Sequence, residues 1–152
     1  MLFRSDPAYA AKAKRVSELT KDISEVIAAE RDKLLSLPPS PFPLPRRVAF
    51  HSPCTLQHGM KMKDKVEALL SDLGFELANV PNAHLCCGSA GTYSILQPEL
   101  SRQLLANKIA ALTRESPAAI LTANIGCQSH LQTATELPVR HWIEALEERL
   151  AP

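Results

Sequence analysis

The apolar positions of this chain change their period along its length, and those changes divide it. Over residues 7–36, Val16, Leu19, Ile23, Val26 and Ile27 recur at helical spacing, and Pro7 after Asp6 suits a first helical turn. This segment predicts one long helix or two short ones with an apolar face. Residues 37–45 then carry five prolines in nine positions. Proline has no amide donor and restricts the residue before it, so this stretch predicts an extended linker. From residue 47 onward, short apolar runs alternate with amphipathic ones. Residues 48–51, 75–80 and 118–123 predict strands, with a weaker fourth at 137–141. Between them, Met62, Val66, Leu69, Leu70 and Leu73 form a helical stripe closed by Gly74. Pro98 opens a helix with Leu100, Leu104, Leu105, Ile109 and Leu112 on one side, and a short helix is expected near Cys127. Trp142, Ile143, Leu146 and Leu150 give the last helix its buried face.

Strand-helix alternation implies an α/β fold: a short parallel sheet flanked by helices in a Rossmann-like three-layer arrangement, with right-handed crossovers. The expected organisation is an accessory N-terminal helical segment over 1–36, the proline-rich linker over 37–46 and a cysteine-bearing domain over 47–152. A chain of 152 residues is long enough to bury a real core, about 70% of its unfolded surface. Composition narrows the class further. With 45% hydrophobic and 22% charged residues and a formal net charge of +1, neither disorder nor a nucleic-acid surface is favoured. The longest apolar runs fall short of the roughly 18–20 residues that span a bilayer, and MLFRSDPAY carries no signal-peptide core, so a cytoplasmic location is expected.

The four cysteines change the picture most. Cys86 and Cys87 are adjacent, which argues against a disulfide scaffold, because neighbouring residues pair only through a strained ring. Cys54 follows the first predicted strand, Cys86 and Cys87 the second, and Cys127 the third. Loops beyond the carboxyl ends of parallel strands share one edge, so these thiols are expected to converge there, within loops that Gly88, Gly91 and Gly126 allow to bend closely. Four thiolates suit tetrahedral zinc or an iron-sulfur cluster rather than calcium or magnesium. The spacing alone leaves that choice open, and small buried hydrophobes remain the other use of free cysteine. His130, three residues after Cys127, shares a helix face with it and is a candidate additional ligand. Four cysteines already satisfy a tetrahedral centre, however, so a solvent-facing or outer histidine is the competing role. His51 and His58 flank Cys54 and could donate hydrogen bonds to sulfur, although each also suits an ordinary loop histidine, and His84 is weaker still. The chain lacks a P-loop, GxGxxG, GxSxG and HExxH, and Ser89 to Gly91 suit either an anion-binding turn or a plain loop.

Three segments together, HSPC at 51–54, HLCCGSAGTY at 84–93 and NIGCQSHL at 124–131, resemble the CCG or cysteine-rich domain family. Where the general family pattern ends in CxxC, this chain has Cys127-Gln128-Ser129-His130. HLCCGSAGTY and the single-cysteine NIGC are similar to the C-terminal cysteine-rich module of glycolate oxidase iron-sulfur subunits. The resemblance spans about residues 48–142, and no clustered CxxCxxC ligands precede it, so a fragment or shortened product is expected. The resemblance implies that Cys54, Cys86, Cys87 and Cys127 hold an iron-sulfur cluster of the 4Fe-4S type. It further implies that electrons pass from flavin-containing glycolate oxidase subunits towards a membrane electron acceptor, at the inner face of the membrane. The module itself would then be non-catalytic. Alternatives are a structural zinc module, a subunit of a lactate-utilisation or heterodisulfide reductase-like oxidoreductase, and a thiol-disulfide catalyst using Cys86 and Cys87, for which there is no CxxC support.

Overall fold

The computed structural model describes residues 3–38 and 47–150. The predicted linker over 37–45 lies almost wholly outside them. Three helices form the N-terminal segment, α1 (Ala10–Leu19), α2 (Ile23–Ala29) and α3 (Arg31–Ser36). The break after α1 arises where Thr20 turns extended and Asp22 caps α2, accepting from the Ser24 amide while Glu25 accepts from the Asp22 amide. The anticipated apolar face is only partly used. Val16 and Leu19 are exposed, whereas Ile27 and Leu34 pack on the core and Arg31 reaches Asp72 at 2.8 Å.

The rest is a parallel sheet in the order β2-β1-β3-β4, built from β1 (Arg47–His51), β2 (Glu76–Leu77), β3 (Ala119–Thr122) and β4 (Val139–His141). Its crossovers are α4 (Lys65–Asp72), α6 (Pro98–Thr113) and α7 (Ile125–Gln132), with a short α5 (Tyr93–Leu96) before α6 and a terminal α8 (Trp142–Leu150). Among the described residues no helix is long and apolar enough to cross a membrane.

Side chains alternate across β1 and β3, and the two faces collect different helices. Val48, Phe50, Ala119 and Leu121 meet Val66, Leu69 and Leu70 of α4 and Trp142 and Leu146 of α8. Ala49 and Ile120 meet Leu105 and Leu112 of α6 and Leu131 of α7. The outcome is the expected three-layer α/β arrangement. Helix α4 ends as its sequence predicts: Gly74 takes φ +93°, its amide donates to the Ser71 carbonyl, and the Phe75 amide donates to that of Leu70. That paired closure satisfies carbonyls the helix leaves open, and Phe75 and Leu70 pack together beneath it.

Two expectations need correction. The second strand is two residues long rather than 75–80, because it pairs only Arg47 with Glu76 and Val48 with Leu77 at the sheet's edge before the chain leaves for the cysteine loop. Helix α6 buries Leu105 and Leu112 of the predicted stripe, with Ile109 packed beside them, but its inward face is turned away from Leu100. Ser101, Leu105, Lys108 and Leu112 point inward, and Leu100 is 51% exposed. Leu70→Ala should therefore cost about 2–5 kcal/mol, while Leu100→Ala should stay within about 0.5 kcal/mol. Urea unfolding of the two variants checks the pair, and equal losses would restore the leucine face.

Candidate metal centre

The strand order reverses between β1 and β3, and in open parallel sheets that switch point opens a crevice at the carboxyl ends of the strands. Here the crevice is a cavity of about 200 Å³ lined by Cys54, Cys86, Cys87 and Cys127, with Ser89, Gly91, Asn124 and Gly126 around them. All four cysteines are free. They differ in depth: Cys87 is buried, Cys86 and Cys127 are half-buried, and Cys54 is exposed at the start of a π-helical turn over Thr55–Gly59.

Each cysteine is set by a local device. Cys127 sits in the first turn of α7, where Asn124 caps the helix by accepting from the Cys127 amide at 3.1 Å. Cys86 and Cys87 are held by the glycine after them. Gly88, at φ +92°, comes so close to α6 that a Cβ there would lie 2.5 Å from the Ser101 carbonyl oxygen. The Ser101 hydroxyl in turn donates to the Gly88 carbonyl at 2.9 Å, and the Gly88 amide donates to the Cys86 sulfur at 3.3 Å. Glycine is thus required by both backbone sign and space. Lys108, further along the same face of α6, donates to the carbonyls of Asn82 and Ala83 at 3.2 and 3.1 Å and pins the start of the same loop. Burial lowers its pKa, and the surrounding thiols, Cys87 foremost, oppose that shift.

His51 completes the interior of the site. It is the last residue of β1, 2% exposed, and its Nδ1 lies 3.0 Å from the hydroxyl of Thr122, its register partner on β3. One ligand atom each from His51, Cys87 and Cys127 lie within 4.8 Å of one another. His130, the expected additional ligand, lies outside that trio, with its Nε2 3.3 Å from the Ser101 hydroxyl. His58 and His84 are exposed.

The thiols are not equivalent. A hydrogen bond from Cys127 lowers Cys87 to about 4, with further hydrogen bonds from His51 and the Ser89 backbone acting against the cost of burial. The same contact, then burial, pushes Cys127 up, so the two thiols oppose each other's ionisation. Partial desolvation, then the neighbouring Cys86 thiol, raises Cys54. Clustered thiols that resist joint ionisation are relieved by a cation, and sulfur with imidazole selects soft transition metals. The donor set fits such a metal or a metal-sulfur cluster.

Ser101 and Lys108 were missed because both are polar on a helix read by its leucines. Their signal was the spacing 101, 105, 108, 112, one helical stripe with Leu105 and Leu112.

These features define a parallel α/β module that gathers soft donors at its switch point. The family model described as a cysteine-rich domain, CCG, matches residues 48–132. This chain belongs to that family, in agreement with the resemblance seen in its three cysteine segments. It is 48% identical over 149 residues to the glycolate oxidase iron-sulfur subunit of Escherichia coli (strain K12), covering 98% of this chain and 35% of that protein. It is 29% identical to the probable glycolate oxidase iron-sulfur subunit of Bacillus subtilis (strain 168), covering 89% of this chain and 30% of the relative. Against lactate utilization protein A of Bacillus licheniformis the identity is 26%, covering 97% of this chain and 63% of that protein. The chain thus spans about a third of the length of these glycolate oxidase relatives and under two thirds of that lactate utilization protein.

Gly88→Ala should destabilise the fold by more than about 1 kcal/mol and displace Cys86 and Cys87, read as slower or lost metal uptake beside a lowered unfolding midpoint. In the metal-free reduced protein, thiolate absorbance should persist until pH falls through about 4 and vanish in Cys87→Ser. Because the folded pKa lies below the ordinary thiol value, the stability this thiolate contributes is fully present above the unfolded thiol range. It is lost as pH falls through about 4.

Proposed function

We propose that this chain is the cysteine-rich module of an iron-sulfur oxidoreductase subunit, in which Cys54, Cys86, Cys87 and Cys127 hold an iron-sulfur cluster of the 4Fe-4S type. The observation that carries this reading is the convergence of all four thiols on one cavity at the switch point of the sheet. The names of its relatives, iron-sulfur subunits of glycolate oxidase and lactate utilization proteins, favour iron and sulfide over zinc. The cluster, when bound, supplies a one-electron redox centre whose potential responds to burial, charge and hydrogen bonds at sulfur. The chain's own part is to hold and tune it. The Gly88 amide donates to the Cys86 sulfur, and Lys108 sets a positive charge behind the cysteine loop.

In this reading the module turns over no substrate. Electrons arrive from a flavin-containing glycolate oxidase subunit and leave towards a membrane acceptor, with the complex on the cytoplasmic side as a peripheral assembly. Exposed Ile125 on α7, next to the cavity-lining Asn124 and Gly126, and exposed Ile95 and Leu96 on α5, which follows the cavity-lining Gly91 in the chain, support a site whose mouth is covered by a partner subunit. The N-terminal helices, which touch the core through Ile27 and Leu34, act as an accessory segment joining the module to the rest of the subunit.

Anaerobic reconstitution with ferrous iron and sulfide tests the reading. The protein should take up both in fixed proportion and show cluster absorption, and Ser replacement of Cys86, Cys87 or Cys127 should lower occupancy or change the spectrum. Cys54→Ser, at the rim, should have the mildest effect. Stoichiometric zinc with no iron uptake would replace this reading with a structural zinc module.

A further inference from the structure

His51 is an uncommon residue to find sealed inside a sheet edge. At 2% exposure its ring has no access to bulk water, so both nitrogens need partners within the protein. Thr122 provides one. Its hydroxyl faces Nδ1 at 3.0 Å, and Thr122 is itself wholly buried and β-branched, so it holds the ring in one orientation. That leaves Nε2 without a partner from Thr122, and a ring nitrogen of His51 lies within 4.8 Å of the sulfurs of Cys87 and Cys127.

We propose that His51 is a metal ligand, giving Nε2 to an iron that Cys87 and Cys127 also hold. The proposal rests on the metal-centre reading above and adds a nitrogen donor to it. Distances favour it: bonds of about 2.0–2.3 Å around a tetrahedral metal place neighbouring donors about 3.5–3.8 Å apart. Atoms within 4.8 Å of one another reach that spacing after a contraction of about an ångström. Thr122 beside Nδ1 suits a ligating histidine: with the hydroxyl as acceptor from Nδ1–H, a metal takes the place of the proton that Nε2 otherwise shares with the Cys87 sulfur. Cys54 is the most exposed of the four cysteines, and the imidazole is among the most enclosed groups of the site. The inner coordination is therefore mixed nitrogen and sulfur, with Cys54 and Cys86 completing the outer side. His130 instead has its Nε2 against the Ser101 hydroxyl, outside the trio of His51, Cys87 and Cys127.

The test uses the full chain labelled with ¹⁵N-histidine, reconstituted anaerobically with ferrous iron and sulfide, reduced, and read by pulsed electron-spin spectroscopy. A directly bonded histidine nitrogen should appear as a strong hyperfine coupling. It should be lost in His51→Ala and kept in a protein where His58, His84, His130 and His141 are all replaced, an assignment that holds even if His51→Ala folds poorly. Thr122→Val should keep the coupling while weakening metal affinity about 10–100-fold, as loss of a ligand's outer partner does. A cluster that forms with no strong histidine coupling overturns the proposal and leaves the iron-sulfur reading standing. A coupling that disappears in the four-histidine protein assigns the ligand elsewhere and also overturns it. Failure to take up iron at all removes the metal-centre reading itself.

Discussion

Parallel hydrogen bonding between β1 and β3 sets His51 opposite Thr122, and the site's geometry depends on that register. Side chains on a strand alternate, so a slip of one residue would turn His51 to the other face and present Phe50 to the cavity. The slip is opposed by the core. Val48, Phe50, Ala119 and Leu121 fill one side of the sheet, Ala49 and Ile120 the other, and each is nearly or fully inaccessible to solvent. At roughly 1.5–3 kcal/mol for each large apolar side chain enclosed, these contacts outweigh the preferences of the polar residues at the strand ends. The packing that stabilises the sheet thereby fixes the donors.

The second support comes from α6. Its inward stripe of Ser101, Leu105, Lys108 and Leu112 combines apolar packing with two polar anchors. Leu105 and Leu112 join the helix to the sheet, while Ser101 and Lys108 grip the cysteine loop at its two ends. Surface ion pairs such as Arg140 with Glu148 contribute little by comparison, because exposed charges gain only modest energy in water.

Much of this was legible in the sequence, for definite reasons. Strand and helix order came from apolar periods, and Gly74 and Pro98 marked helix ends through their backbone limits. The placement of cysteines after strands correctly implied a shared edge, since all parallel strands point the same way. Three things were hidden. The brevity of β2 reflects an edge pairing that no local pattern encodes. The burial of Ser101 and Lys108 on α6 depends on what the loop needs from the helix, so leucine content found Leu105 and Leu112 but not the polar anchors beside them. His51 looked like an ordinary residue beside a cysteine, because its enclosure comes from a distant strand, where Thr122 stands 71 residues further along the chain.

The spread of the donors along the chain has a consequence for how the molecule is made. They come from the end of one strand, from a later loop and from the first turn of a still later helix, and apart from the adjacent Cys86 and Cys87 they are far apart in sequence. An unfolded chain offers only partial chelates, such as Cys86 with Cys87, and the full donor set exists only once the sheet has closed and brought the three segments to one mouth beside Cys54. Once seated, a metal ties three distant crossings together and raises the cost of opening that edge, since it binds the native state more tightly than the unfolded one. A metal lost from that mouth would then be felt first as easier opening of the edge where the three segments meet.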